Sequence, residues 1–308
     1  PAASRRAHGR APYATIRLAR EPSRTEVRAI VTDSHGLHPP PSDLQATDPA
    51  TIDAMSDIIS TESSGHIGVV RMLRTDKHNA FNRELDSAVG AALGELDADP
   101  EIHVAILTGS GSAFSAGADM TEAVAAIEGK GRSEGMASTY AAVASFRKPL
   151  IAAVNGICYG GGALVAIYCD IRIASDTAAF RFPGAAYGLV VGGAQLPRIV
   201  GPAFAKELLF TGRVVRADEA LRMGLVNSVV PFTGIDAAAM EMAKMIAANS
   251  PQALIATKET VDRATSIDDG TEREGAWNRV LRTSPEHHER FRAAAERVAR
   301  GGAGGKSG

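Results

Sequence analysis

KPLIAAVNGICYGGGALVAIYCDIRIAS, residues 148–175, is the stretch on which the fold turns. LIAAVNG (150–156) is an apolar run of strand length without helical period, the pattern of a strand covered on both faces. Gly160-Gly161-Gly162 then opens the apolar helix ALVAIYC (163–169), and DIRIAS (170–175) is the next strand. A strand, a helix and a strand in this order predict a parallel pair with a helical crossover. Working outward, HVAILTG (103–109) is another buried strand by its length and β-branched content. IGVVRML (67–73) is a short apolar strand, and Asn82 caps a helix running to about Leu96. SGSAFSAGAD (110–119) reads as a small-residue loop before a helix from Thr121. After Pro202 the chain turns mostly helical: AFAKELLFTG, ADEALRMG, a short LVNSVV strand, then amphipathic stretches at 236–248, 251–264, 271–282 and 285–299. The expectation is an α/β protein with a core over residues 55–250, a C-terminal helical region over 251–300 and a flexible tail, GGAGGKSG, over 301–308. No internal repeat is visible.

Residues 1–54 differ from the rest. They hold seven of the 15 prolines and seven arginines but no lysine, and they lack hydrophobic periodicity. The reading is a disordered leader, with MSDIISTESSGHIGVVRML from Met55 resembling a natural protein start. Glu21, Glu26, Asp33, Asp43, Asp48 and Asp53 argue against a transit peptide, which is poor in acids.

Composition excludes several classes of function. With 33 Lys+Arg against 35 Asp+Glu and a net charge of −2, there is no electrostatic footprint for nucleic acid or a membrane surface. No apolar run approaches the roughly 20 residues of a membrane span. Cys158 and Cys169 are the two cysteines. They allow neither a disulfide framework nor a multi-cysteine zinc module, and they suit a reducing, cytoplasmic setting.

Two small-residue segments place bare backbone after buried strands: FSAGAD (114–119) and NGICYGGG (155–162). Helix N-termini present unpaired N–H groups, which suit a phosphate or a developing oxyanion. The Walker spacing fails, because Gly162 and Ala163 stand where Lys and Ser/Thr are required. A dinucleotide G-x-G-x-x-G is absent. The remaining readings are an oxyanion site and a turn that lets helix and strand pack closely. Gly131-Arg132-Ser133-Glu134-Gly135 matches G-x-S-x-G, but a polar linker surrounds it where a nucleophile elbow needs a strand and a helix. His287 and His288 sit on a charged helical stretch and read as a solvated face.

KHNAFN (77–82), AFSAGAD (113–119), residues 148–175 and TGRVVRADEALRMGLVNSVV (211–230) together resemble the enoyl-CoA hydratase/isomerase, or crotonase, superfamily over about residues 61–300. The resemblance implies ββα turns winding into a spiral core and a C-terminal helical region that packs homotrimers or dimers of trimers. It also implies acyl-CoA thioester substrates, and neither a metal nor an organic cofactor beyond the substrate's coenzyme A. By motif position, the N–H groups of Ala116 and Gly161 would hold the thioester oxygen as enolate charge develops. Lys77, His78 and Ala80 would neighbour coenzyme A, with Ala118 and Asp119 opposite; Asp119 reads equally as a helix cap.

The departures lie at the acid/base positions. The family's hydratases carry one glutamate three residues beyond the middle glycine of GGG and another after the proline of F-x-x-P. Here those positions are Leu164 and, after Pro183, Gly184. Neither can activate water or deliver a proton. Tyr187, Asp119 and Glu122 are the nearby ionisable groups, and Tyr187 reads equally as a pocket wall. Three functions follow: an acyl-CoA enzyme with altered acid/base equipment, an orthodox enoyl-CoA hydratase with other groups, or a non-catalytic acyl-CoA binder.

Overall fold

The computed structural model describes residues 54–55, 57–130, 136–265 and 270–303. The expected leader except Ala54, the Gly131–Gly135 motif and residues 304–308 of the expected tail lie outside these. The chain opens with three strands, β1 (Ala54–Met55), β2 (Ile59–Ser64) and β3 (Ile67–Met72), each antiparallel to the next. Helix α1 (Arg83–Ala98) follows, capped by Asn82 Oδ1, which accepts the Leu85 N–H at 2.9 Å.

Three similar turns come next. The first is β4 (Val104–Gly109), β5 (Ala113–Ser115), α2 (Met120–Ile127) and α3 (Ala137–Ser145). The second is β6 (Leu150–Val154), β7 (Ile157–Tyr159) and α4 (Gly161–Tyr168). The third is β8 (Ile171–Ser175), β9 (Ala179–Arg181), a 3-10 turn (Gly184–Tyr187) and α5 (Leu196–Thr211). Each turn lays its first strand in a seven-stranded sheet and its second in a four-stranded one, then returns through helix. This is the expected winding of ββα units. The sheet orders are β1-β2-β3-β4-β6-β8-β11 and β10-β9-β7-β5, completed by β10 (Val214–Arg216) and β11 (Ser228–Val230) around α6 (Ala217–Arg222). From β3 to β11 the large sheet is parallel.

Alternation within β4 explains why its run is apolar throughout. Ala105 and Leu107 face the main core with Val70, Met72 and Phe114, while Val104 and Ile106 face Ala239 and Ala243 of α7 (Ile235–Ala247). Both faces are covered, and the strand's polar residue, Thr108, is buried with its hydroxyl donating to Ala153 O at 2.8 Å.

The small sheet was not visible in the sequence. Its strands β5, β7, β9 and β10 have three residues each, too few to show a period of two. Residues 113–115 therefore read as loop.

The C-terminal helices are α8 (Pro251–Thr265), α9 (Gly270–Leu281) and α10 (Pro285–Ala303). Helix α10 thus runs three residues into the segment expected to be tail. Lys258 of α8 reaches Asp170 Oδ2 at 2.8 Å and Lys148 O at 3.0 Å. Asn278 of α9 exchanges two hydrogen bonds with the backbone of Val190, at 2.9 and 2.6 Å. His287 of α10 is buried, its Nδ1 2.6 Å from Tyr187 O and its ring against Phe291. The solvated-face reading of His287 is therefore corrected: the 184–188 turn, distant in sequence, covers it. Among the described residues no helix is long and apolar enough to cross a membrane, and no group of three or more His, Cys, Asp or Glu is placed to hold a metal ion.

Candidate active site

Strands β5 and β7 pair in parallel, so the loops that follow them leave the same edge of the small sheet. The 77–82 segment lies across the first loop. His78 and Asn79 both adopt the left-handed conformation (φ 50° and 52°). Asn79 is held there by Nδ2 donating to Ala113 O at 2.7 Å and Ser110 O at 3.0 Å. Ser115 Oγ donates to Asn79 O at 2.7 Å and accepts the Gly117 N–H at 3.1 Å. Phe81 donates to Gly117 O at 2.7 Å, and Asp119 donates back to Phe81 O at 2.8 Å.

This lacing decides which backbone N–H groups remain free. The Ala116 N–H donates to His78 O at 2.9 Å, so it is already engaged. The expectation that Ala116 supplies an oxyanion donor is corrected on that ground. The next alternate amide, that of Ala118, has no acceptor among the described residues. It lies beside the start of α4: a methyl built on Gly161 would sit 3.7 Å from Ala118 N, and one on Gly117 would sit 2.9 Å from Gly161 N. Gly161 is the first residue of α4, where an amide has no intrahelical partner. The structure thus brings the amides of Ala118 and Gly161 together.

The three glycines at that helix start have separate causes. Gly160 has φ 52° and ψ −119°, a conformation closed to residues with a Cβ. A methyl on Gly162 would lie 2.5 Å from Ser115 O, so α4 could not pack so close to β5. Both support the close-packing reading. At Gly161 a methyl would meet only the movable end of a flexible side chain, Met136 Sδ, at first contact.

The chain matches the family model described as enoyl-CoA hydratase/isomerase over residues 62–299. The chain belongs to the enoyl-CoA hydratase/isomerase family. It is 39% identical over 213 residues to the short-chain-enoyl-CoA hydratase of Clostridium acetobutylicum, covering 67% of this chain and 82% of that protein. It is 37% identical over 221 residues to the carnitinyl-CoA dehydratase of Salmonella typhi, covering 69% and 82%. Among solved structures, an enoyl-CoA hydratase/isomerase from Pseudoalteromonas atlantica superposes with a TM-score of 0.71 at 27% identity, covering 78% of this chain and 97% of that one. An enoyl-CoA hydratase from Mycobacterium marinum gives 0.62 at 35% identity, covering 66% and 98%.

The remaining positions expected from the family pattern fall as follows. Leu164 is half-buried on α4 and packs against the main core. Gly184 is buried at the start of the 3-10 turn, just after Pro183. Asp119 caps α2 through the Thr121 N–H at 2.9 Å and pairs with Arg74 at 2.7 Å. Burial opposes its ionisation, but Arg74 and the Thr121 amide hold its carboxyl below the usual carboxylate range. Glu122 accepts the Arg83 N–H at the start of α1. Both acids therefore serve helix ends. The Tyr187 ring packs edge-on to Phe291 of α10, 5.5 Å between centroids. Lys77 and His78 are exposed; Ala80 is half-buried, and its carbonyl accepts from Arg74 at 2.9 Å. Cys158 and Cys169 are fully buried, and burial pushes the Cys169 thiol up to about 12, which removes both as nucleophiles.

Sequence reasoning missed Met136, Tyr140, Tyr168 and Glu274. Tyr140 and Tyr168 meet edge-to-face at 5.5 Å, one turn beyond Met136 and Leu164 on α3 and α4. The Tyr140 hydroxyl is buried without a partner among the described residues, and burial pushes it well above the ordinary phenol value. Glu274 lies near both phenols. Nothing local marks these residues, because α3, α4 and α9 meet only in the folded chain.

Proposed function

We propose that this protein acts on acyl-CoA thioesters, holding the enolate oxygen that forms during reaction between the N–H groups of Ala118 and Gly161. The observation that carries this is the pair of adjoining amides, one in the loop after β5 and one at the start of α4, without acceptors among the described residues and set among small residues. Two preorganised donors aimed at a developing oxyanion are the largest single contribution such a site makes to rate. The chemistry needs no cofactor beyond the coenzyme A carried by the substrate. Exposed Lys77 and His78 stand at the rim, as neighbours for its phosphates and pantetheine. Leu164, Pro183 and Gly184 line the acyl side.

Hydration of enoyl-CoA is not the favoured reaction. Water addition needs a base and an acid, and Leu164 and Gly184 supply neither. Isomerisation, decarboxylation or carbon–carbon cleavage through the same enolate, or hydrolysis through a tetrahedral oxyanion held by the same two N–H groups, fits better. The test is a panel of acyl-CoAs incubated with the protein and read by mass spectrometry for both binding and turnover. Binding of none of them would refute the reading. The reading also places the protein in homotrimers, singly or paired, in the cytoplasm.

A further inference from the structure

Side chains at positions 164 and 184 project toward one place. A methyl on Gly184 would lie 3.0 Å from Val191 Cβ and 3.1 Å from Leu189 O, so a longer side chain there is directed at residues 189–191. Leu164 Cδ1 lies 3.8 Å from a methyl built on Gly192, beside Ile167 Cδ1 and Phe182 Cδ1. Both positions face the 189–192 segment, and that segment already holds a carboxyl from elsewhere in the chain. Glu274 of α9 accepts the Gly192 N–H at 2.9 Å through Oε1 and the Ala194 N–H at 3.0 Å through Oε2. Asn278, one helical turn on, fixes the same helix to Val190. The Glu274 carboxyl is half-buried and held by backbone amides. The titratable groups facing it are Tyr140 of α3 and Tyr168 of α4.

We propose that Glu274 is the catalytic residue that supplies proton transfer where the two glutamates are missing. The inference rests on the oxyanion reading above. The carboxylate takes a proton from the carbon next to the thioester carbonyl. The C–H pair becomes a carbon–carbon double bond, and the carbonyl π pair moves onto the oxygen held by Ala118 and Gly161. Returning the proton reverses each change, so no oxidant or co-reactant is needed. Burial raises the Glu274 carboxyl above its ordinary value, which makes it a better base than an exposed glutamate.

Butyryl-CoA in deuterium oxide tests this, because it can exchange its α-hydrogens without any net reaction. The intact protein is expected to incorporate deuterium at that carbon, read by mass spectrometry. Glu274→Gln, which keeps the size and an acceptor oxygen, is expected to slow exchange by roughly 10²–10⁴-fold, with the Kd for butyryl-CoA little changed. Glu274→Asp withdraws the carboxyl by one methylene and is expected to slow exchange by roughly 10–10²-fold. Asn278→Ala loosens the same helix but leaves the carboxyl, and should retain most of the exchange. Wild-type exchange rates in both Glu274 variants would overturn the proposal and leave the oxyanion reading standing. So would equal losses in Glu274→Gln and Asn278→Ala, which would mark α9 as a strap. An intact protein that binds butyryl-CoA without exchange overturns the proposal, and one that binds neither it nor any other acyl-CoA of the panel overturns both readings.

Discussion

Three adjacent glycines, Gly160, Gly161 and Gly162, meet three different demands, and substitution should separate them. Proline at Gly161 removes the N–H at the first position of α4, where helices best tolerate proline. The contact it creates is with the movable end of Met136. Gly161→Pro is therefore expected to keep its circular dichroism and lose roughly 10²–10³-fold in turnover of any true substrate, as for other oxyanion donors. Gly162→Ala meets Ser115 backbone and should lose stability by about 1–3 kcal/mol in urea titration. Restoring the absent acids bears on the other half of the site. Crotonyl-CoA is expected to bind the natural protein and hydrate slowly, and Leu164→Glu with Gly184→Glu to gain measurable hydration. Gly184 has no positive φ, so its backbone accepts a side chain, though Val191 and Leu189 must yield. Fast hydration by the unaltered protein would show that another group activates the water. The GGG motif announced this site in the sequence. Which of the two alanine amides is engaged was not legible, because His78 O, contributed by a segment far upstream, takes the Ala116 N–H, while that of Ala118 has no acceptor among the described residues.

At the scale of elements, two carboxyls at helix junctions respond to pH in opposite senses. Asp119 joins the end of β3, through Arg74, to the start of α2. Its folded pKa lies below its ordinary value. Its contribution is therefore complete above the ordinary carboxylate range and lost as pH falls through the depressed folded value. Asp119→Asn should unfold at lower urea than the parent near neutral pH, with the gap closing as the solution is acidified. A gap independent of pH would remove the ion pair as its cause. Glu274 has a raised folded pKa, so the protonated form favours folding. That contribution is present below the ordinary value and lost as pH rises through the raised one. Helices α7 to α10 were legible from their amphipathic stretches, to within a residue at each end except the last turn of α10, since each spans several turns. Where they dock was not. His287, Glu274 and Asn278 reach a turn about a hundred residues earlier or slightly less, and no periodicity records such a partner.

For the whole molecule, the ββα spiral followed from the order of motifs, while assembly must be read from what the folded chain leaves uncovered. Phe210 is 76% exposed, Met245 55% and Val261 54%, with Phe204 and Phe232 also largely exposed. These residues lie on α5, α7, α8 and the 232–234 turn. Single exposed apolar residues are ordinary on a protein surface. Exposed phenylalanines are another matter, because buried aromatic side chains dominate subunit interfaces. Proposed homotrimers would cover part of this surface. Light scattering at micromolar concentration is expected to give three or six chains per particle. Phe210→Glu, which touches neither the 77–82 segment nor the GGG turn, is expected to shift the mass toward one chain. Phe210 stands apart from the core: at 76% exposure it contributes little to its own chain's packing, so a charge there costs the monomer almost nothing. In a packed interface the same charge loses its water without a partner, a penalty large enough to break association. A stable monomer in the natural protein, or a Phe210→Glu variant with unchanged mass, would place the contact elsewhere or remove the trimer altogether.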